Sequence, residues 1–354
     1  MADISFARGV PAPECLAVDE LADCARAALE RDGRTILSYG TGAGYGPLRE
    51  WIAERHGVEP ARVFVTNGSL QGFVFLAGRL AAGKRVLVED PSYDRPLKIL
   101  RELGATVDAV AMDDEGLVPE ALEDALRSGE KPAFLYTIPT FQNPSGRTLS
   151  TERRRRIVEL AAEHDLLVLE DDPYGLVRFD GEPQPSLFEL SNGATTYSSS
   201  FSKTVAPGLR VGYFVFPEEL AAQLAAQANG TYISPVLLGQ ATVHEFVRRG
   251  NFEPNLARIV ELLRVRRDAM LAALEKHLPD ATWSRPAGGY FLWLELPGGA
   301  SARELAERAK GVTFVLGSDF GGGPDTARLA YSYVSVDEIE AGVERLAAAL
   351  PVSA

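Results

Sequence analysis

Between residues 63 and 216, short apolar runs alternate with longer amphipathic ones, and this rhythm restricts the fold more than any other feature. The runs at 63–66, 86–89, 107–110, 133–137, 166–170, 195–198 and 211–216 are largely apolar. A strand with one wet face alternates polar and apolar residues. Near-continuous apolar strands imply a sheet covered on both sides. Between them, 69–80, 95–103, 119–127 and 150–164 show the helical period. Strands joined through helices pair in parallel, so an α/β unit with a mostly parallel, seven-stranded sheet flanked by helices is expected. A helix is also expected over "GYGPLREWIAERHG", with Pro47 in its first turn and Gly57 as its C-terminal cap.

Around Pro217 the pattern changes to long helices that run to about Leu278. Strands near 290–295 and 328–332 and a closing helix from Val336 indicate a smaller α+β unit. The expected division is an N-terminal segment (1–38) near the active site, a large domain (39–235), and long helices with the small C-terminal domain (236–354).

A net charge of −13 and a pI near 5.0 argue against a nucleic-acid or anionic-membrane surface. No apolar run reaches the roughly 18 residues of a membrane span, and "MADISFARGVPAPE" lacks a signal-peptide layout. Cys15 and Cys24 cannot make a disulfide framework, which fits a reducing cytoplasm. His56, His164, His244 and His277 are scattered without metal-ligand spacing, so no metal is expected. "GTGAGYG" (40–46) imitates a dinucleotide fingerprint but lacks the preceding strand, and reads as a loop. "RRRR" (153–156), with glutamates four residues away, reads as a salt-bridged helix face.

Of six lysines, Lys84, Lys98, Lys131, Lys276 and Lys310 sit in polar helical faces or turns. Lys203 stands apart, in "YSSSFSKTVAPGLRVGYFVF" (197–216), among small hydroxyls and ahead of a Pro-Gly turn and Arg210. A lysine that attacks a carbonyl must lose its proton, which calls for burial or a neighbouring cation. An aldehyde cofactor held there also needs an anion site, a carboxylate and a ring clamp. "VTNGSLQGF" (65–73) offers a helix start at Gly68, Ser69 and Leu70; Ser200, Ser202 and Arg210 add donors. Taken alone, "NGS" reads more readily as a side-chain N-cap, and Arg210 alone as a structural salt bridge. "LLVLEDDPYG" ends a strand with Asp171 and Asp172, then Tyr174. "IPTFQNPSG" presents Asn143, and "EDPSYDRP" presents Tyr93 as an aromatic plate.

These segments, with "GGYFLWLELP" and "RLAYSY", resemble fold-type I pyridoxal-5′-phosphate (PLP) enzymes of the class I/II aminotransferase group. The wording is most similar to the branch holding 2-aminoadipate aminotransferases and the aminotransferase-like domains of MocR-type regulators. The match runs over about residues 39–333. The resemblance implies that Lys203 is the Schiff-base lysine and proton shuttle, and that Asp171 pairs with the pyridine nitrogen. It implies that Tyr174 and Asn143 face the ring's phenolic oxygen, and that Tyr93 stacks on the ring. Gly68, Ser69, Leu70, Ser200, Ser202 and Arg210 would hold the phosphate. Arg328 would clamp the substrate α-carboxylate beside Asn143, and Tyr39 would reach the phosphate of a partner subunit in a homodimer. "VLGSDFGGG" and a short N-terminal segment depart from the family pattern where the substrate side chain is selected.

The expected activity is transfer of an amino group from an α-amino acid to a 2-oxo acid. The alternative is another PLP reaction: decarboxylation, elimination or replacement, cyclisation, or oxidation. A non-catalytic effector-binding module is disfavoured, because about 38 residues before "YGTGAGYG" are too few for a winged helix.

Overall fold

The computed structural model describes residues 3–350. Its main sheet has eight strands in the order Val63–Thr66, Gly212–Val215, Thr196–Ser200, Val168–Asp171, Leu135–Thr137, Arg85–Asp90, Thr106–Asp113 and Gly116–Leu117. The run from Thr196–Ser200 to Thr106–Asp113 is parallel throughout. Gly212–Val215 is antiparallel to both its neighbours. The seven expected strands are all present; Val63–Thr66 matches at both ends, and the others differ by a residue or more at one end or both. The eighth, Gly116–Leu117, folds back on Met112 and Asp113 and is too short to leave a hydrophobic period.

Burial explains why these strands lack alternation. Val63, Phe64, Val65 and Thr66 are all buried, as are Gly212, Tyr213, Phe214 and Val215. One face packs on helices Gly46–His56 and Leu237–Arg248. The other is covered by Ser69–Leu80, Asp94–Glu102 and Glu218–Tyr232. Each fully buried Val, Leu or Phe contributes about 1.5–3 kcal/mol, enough to fix which strands lie at the centre. Gly57 caps Gly46–His56 at φ 63, as its position after the helix predicts, and Pro47 lies in the first turn.

The "RRRR" run differs from expectation at one position. Arg153 pairs with Asp113, and Arg156 with Glu159 and Glu163. Arg154, however, turns inward and is 1% exposed. It donates to the carbonyls of Leu149, Pro139 and Pro185 and to the Thr140 hydroxyl. A buried guanidinium is tolerated because nearly every donor finds an oxygen. It thereby ties down both flanks of the loop that follows Leu135–Thr137.

A second, antiparallel sheet holds Thr282–Trp283, Phe291–Glu295, Thr326–Ala330 and Val315–Leu316. Helices Phe252–His277 and Val336–Ala349 pack together against it. The N-terminal residues begin as Ile4–Ser5, paired in parallel with Val312–Thr313. Residues 7–12 then cross as a strap to helix Val18–Ile36, which packs on Leu237–Arg248. Among the described residues no helix is long and apolar enough to cross a membrane.

Candidate active site

Parallel strands deliver their carboxyl ends to one edge of the sheet, and the turns that leave them build a cavity there of about 260 Å³. Leaving Val63–Thr66, the chain turns through Gly68 at φ 88 into helix Ser69–Leu80. The cap is Gly68 itself and no side chain caps the helix, so the Ser69 hydroxyl is not spent as an N-cap. The first-turn amides of Ser69 and Leu70 have no carbonyl within their own helix and carry its positive end. Two glycines make this approach possible. A Cβ on Gly68 would lie 2.3 Å from Arg210 Nη2, and one on Gly212 would lie 2.1 Å from the Ser69 nitrogen.

Arg210 donates to the carbonyls of Pro207 and Asn67, at 3.2 and 3.4 Å. Among the described residues no carboxylate lies within 4 Å of it, so the salt-bridge reading fails. Ser200 donates to the Ser202 oxygen at 2.9 Å, which leaves the Ser202 proton available. Two amides, hydroxyls and a guanidinium therefore converge on one end of the cavity, a donor set suited to a phosphate.

At the same cavity, Lys203 Nζ donates to the Gly9 carbonyl of the strap at 2.6 Å. It sits 5.1 Å from the centre of the Tyr290 ring and 5.6 Å from that of Tyr174. Tyr290 also donates to the Lys203 carbonyl at 3.0 Å, which anchors the lysine's backbone. Burial, reinforced by the Arg328 and Arg210 charges, lowers the lysine pKa to about 8. An amine so poised is partly neutral at physiological pH and can act as a nucleophile.

The two adjacent aspartates separate into different roles. Asp172 accepts from the Gly175 amide at 2.8 Å and the Tyr197 hydroxyl at 3.0 Å, which fixes the turn that presents Tyr174. The Tyr136 hydroxyl donates to Asp171 Oδ2 at 2.8 Å. Asp171 Oδ1 is buried without a partner and belongs to a residue lining the cavity. Burial raises the Asp171 pKa to about 6, although hydrogen bonds from Tyr136 and Ser198 oppose the rise. An orphaned buried carboxylate oxygen asks for a donor from a ligand.

Arg328 lies between the rings of Phe291 and Phe320, 4.3 and 4.9 Å from their centres. It donates to Asn143 Oδ1 at 2.9 Å and to the Ala7 carbonyl at 3.0 Å, while its Nε has no partner. Asn143 keeps its amide Nδ2 as a donor at the cavity. The loop carrying Asn143 is braced by buried Glu89, which accepts from the Thr137 hydroxyl, the Ile138 amide and the Gln142 side chain. Tyr93 also lines the cavity, and burial pushes its phenol up to about 12, so it stays protonated.

The structure thus brings Ser69, Leu70, Tyr93, Asn143, Asp171, Tyr174, Ser200, Ser202, Lys203 and Arg210 to one cavity. Gly68 backs it through Arg210, and Arg328 adjoins it through Asn143. Tyr39 is not in its lining; it is 82% exposed. Sequence reasoning gave no role to Tyr136 or Tyr290, nor to the strap carbonyls of Ala7 and Gly9. A backbone carbonyl leaves no mark in a sequence. Tyr290 lies inside "GGYFLWLELP" and was recoverable.

This set fits PLP: an anion cradle, a lysine, and an orphaned carboxylate oxygen for a pyridinium N–H. Residues 13–346 match the family described as aminotransferase class I and II. The chain is 40% identical to the 2-aminoadipate transaminase of Thermus thermophilus, over 98% of this chain and 90% of that protein. It is 36% identical to aromatic-amino-acid aminotransferase 1 of Thermococcus litoralis, over 97% and 87% of the two chains. The crystal structure of alpha-aminoadipate aminotransferase from Thermus thermophilus, complexed with N-(5'-phosphopyridoxyl)-L-leucine, matches with a TM-score of 0.92. That match has 39% identity and covers 98% of this chain and 92% of the other. With fold, cofactor chemistry and relatives in agreement, the chain belongs to the class I and II aminotransferases, PLP-dependent enzymes of fold type I.

Proposed function

We propose that this aminotransferase works through Lys203, with Asp171, Tyr174 and Asn143 around the cofactor ring and Arg328 as the substrate clamp. The observation that carries the reading is one cavity bounded by a depressed lysine, an anion cradle and the free oxygen of Asp171. When bound, PLP supplies a sink for electrons released at the substrate α-carbon. The protein's part is to place groups. The Ser69 and Leu70 amides, with Ser202 and Arg210, hold the phosphate, and Ser200, which donates to the Ser202 oxygen, turns the Ser202 proton toward it. Asp171 keeps a proton on the ring nitrogen; Tyr174 and Asn143 donate to the phenolic oxygen; Tyr93 covers the ring face. Lys203, once free, moves a proton at the α-carbon. Arg328 receives the α-carboxylate as a fork, exchanging the Ala7 carbonyl for a charged acceptor.

Residues 39–235 would then be the cofactor domain and 236–354 the part that carries the clamp. A homodimer suits the exposed apolar groups Leu37, Tyr39, Ile233 and Val236, which are 73%, 82%, 49% and 59% exposed, and the free cysteines Cys15 and Cys24 suit a reducing cytoplasm. Val236 lies beside the phosphate cradle, and the segment just after Tyr39 adjoins it. Gly40 lies against Leu237, and the Val236 amide donates to Asn67 Oδ1. In that assembly Tyr39 would reach the partner's phosphate.

A test uses single amino acids and no acceptor. Transamination leaves one equivalent of 2-oxo acid and the pyridoxamine form of the cofactor. Release of carbon dioxide or ammonia with the aldehyde form restored would reject it. Lys203→Ala abolishes turnover.

A further inference from the structure

We infer that Tyr136 is a positioning residue, which holds the Asp171 carboxylate so that Oδ1 alone faces the cofactor ring nitrogen. The inference rests on the assignment of Asp171 above and extends it to a residue behind it.

The strands set the geometry. Leu135–Thr137 and Val168–Asp171 are parallel neighbours, with Tyr136 opposite Leu169. Residues two apart share a face of a strand, so Leu169, Asp171 and Tyr136 project to the same side. The phenol is long enough to reach two residues along the neighbouring strand, and its hydroxyl meets Asp171 Oδ2 at 2.8 Å. Nothing else competes for it. Tyr136 is 1% exposed, and its ring is held edge-on by Phe73, 5.4 Å away between centres. Phe73 belongs to helix Ser69–Leu80, whose first amides form the phosphate cradle. One packing contact therefore joins the phosphate end and the ring-nitrogen end of the site.

The phenol also has a fixed direction of donation. Burial and the adjacent Asp171 carboxylate hold the Tyr136 phenol well above its ordinary range, so it keeps its proton. A hydroxyl with one proton, one partner and no freedom to turn assigns the two carboxylate oxygens: Oδ2 is taken and Oδ1 is free. Without it, Asp171 keeps Ser198 as a partner but loses the donor that occupies Oδ2, in a site where burial already favours the neutral acid. A protonated Asp171 no longer keeps the ring nitrogen charged.

Tyr136→Phe tests this while keeping the ring that packs on Phe73. Wild type and variant are titrated as apo-proteins with ¹⁵N-labelled PLP, and the ring-nitrogen chemical shift and the cofactor Kd are read. The expected result is a pyridinium shift in the wild type, a displacement toward neutral pyridine in the variant, and a Kd raised about tenfold or more. In an Asp171→Asn background the same change raises Kd less than about twofold, because the group it acts through is gone. An unchanged shift and Kd in Tyr136→Phe, or equal losses in both backgrounds, would leave Tyr136 a core aromatic and overturn the inference. A wild type that takes up no PLP would instead sink the assignment of the site itself.

Discussion

The floor of the site and its mouth are built on opposite principles. The floor is made by turns leaving the eight-stranded sheet, where glycines remove side chains so that amides and a guanidinium converge. Its groups are held from behind: Asp171 by Tyr136, Asn143 through the Glu89 brace, Tyr174 by the Asp172 turn. The mouth is made by Arg328 from the smaller sheet and by the strap. There the charged groups rest on backbone carbonyls, Lys203 on Gly9 and Arg328 on Ala7. A neutral carbonyl is a weaker partner for a cation than a carboxylate, so it yields readily to a substrate. On the proposed assignment, the difference teaches that cofactor retention is preorganised, while substrate binding is an exchange of partners.

Substitutions on the two sides should therefore have separable signatures. The largest is expected at the mouth. Arg328→Ala should lower kcat/KM for α-amino acids by about 10²–10³-fold, the usual scale for removing a buried charged partner, and spare simple amines. Equal losses on both substrates would erase the distinction between mouth and floor. On the floor, Gly212→Ala pushes a methyl at the Ser69 nitrogen. Overpacking of about 1–3 kcal/mol predicts weaker PLP binding by one to two orders of magnitude, with the ranking of amino-acid substrates preserved. A changed ranking would show that the two regions are not independent. The smallest effect is in pH. Lys203 is depressed to about 8 in the folded protein, so its neutral fraction, and the rate at which the apo-protein captures PLP, should climb through that value. Between pH 7 and 8 the gain is about fivefold. A flat profile would mean that the Gly9 contact, not the proton, limits the lysine.

The floor was far more legible in the sequence than the mouth. Its parts are side chains at strand ends, and each strand end carries a turn signal: Asn-Gly, Asp-Pro-Ser, Asn-Pro-Ser-Gly, Asp-Asp-Pro. Because most of the strands are buried on both faces, their apolar runs could be found without knowing the fold; Thr106–Asp113, with only Val110 buried, is the exception. What pattern alone left open was which of Asp171 and Asp172 faces the cavity. That depends on the register between strands and on Tyr136, and neither has a local signature. Arg154 shows the same limit: nothing in "RRRR" marks which arginine turns inward. The strap was hidden for a different reason, since its contribution is carried by carbonyls that every residue possesses. Only Gly9 hints at it; a Cβ there would lie 2.4 Å from Phe291 Cζ.

That close fit has an electrostatic consequence. Lys203 and Arg328 are like charges, the second helping to strip the proton from the first, and the strap lays the negative ends of two peptide dipoles against them. Ala7 and Gly9 of the strap thus set carbonyl oxygens against two of the site's cations. On the proposed assignment, an arriving amino acid would relieve Arg328 of its carbonyl partner by bringing an anion of its own.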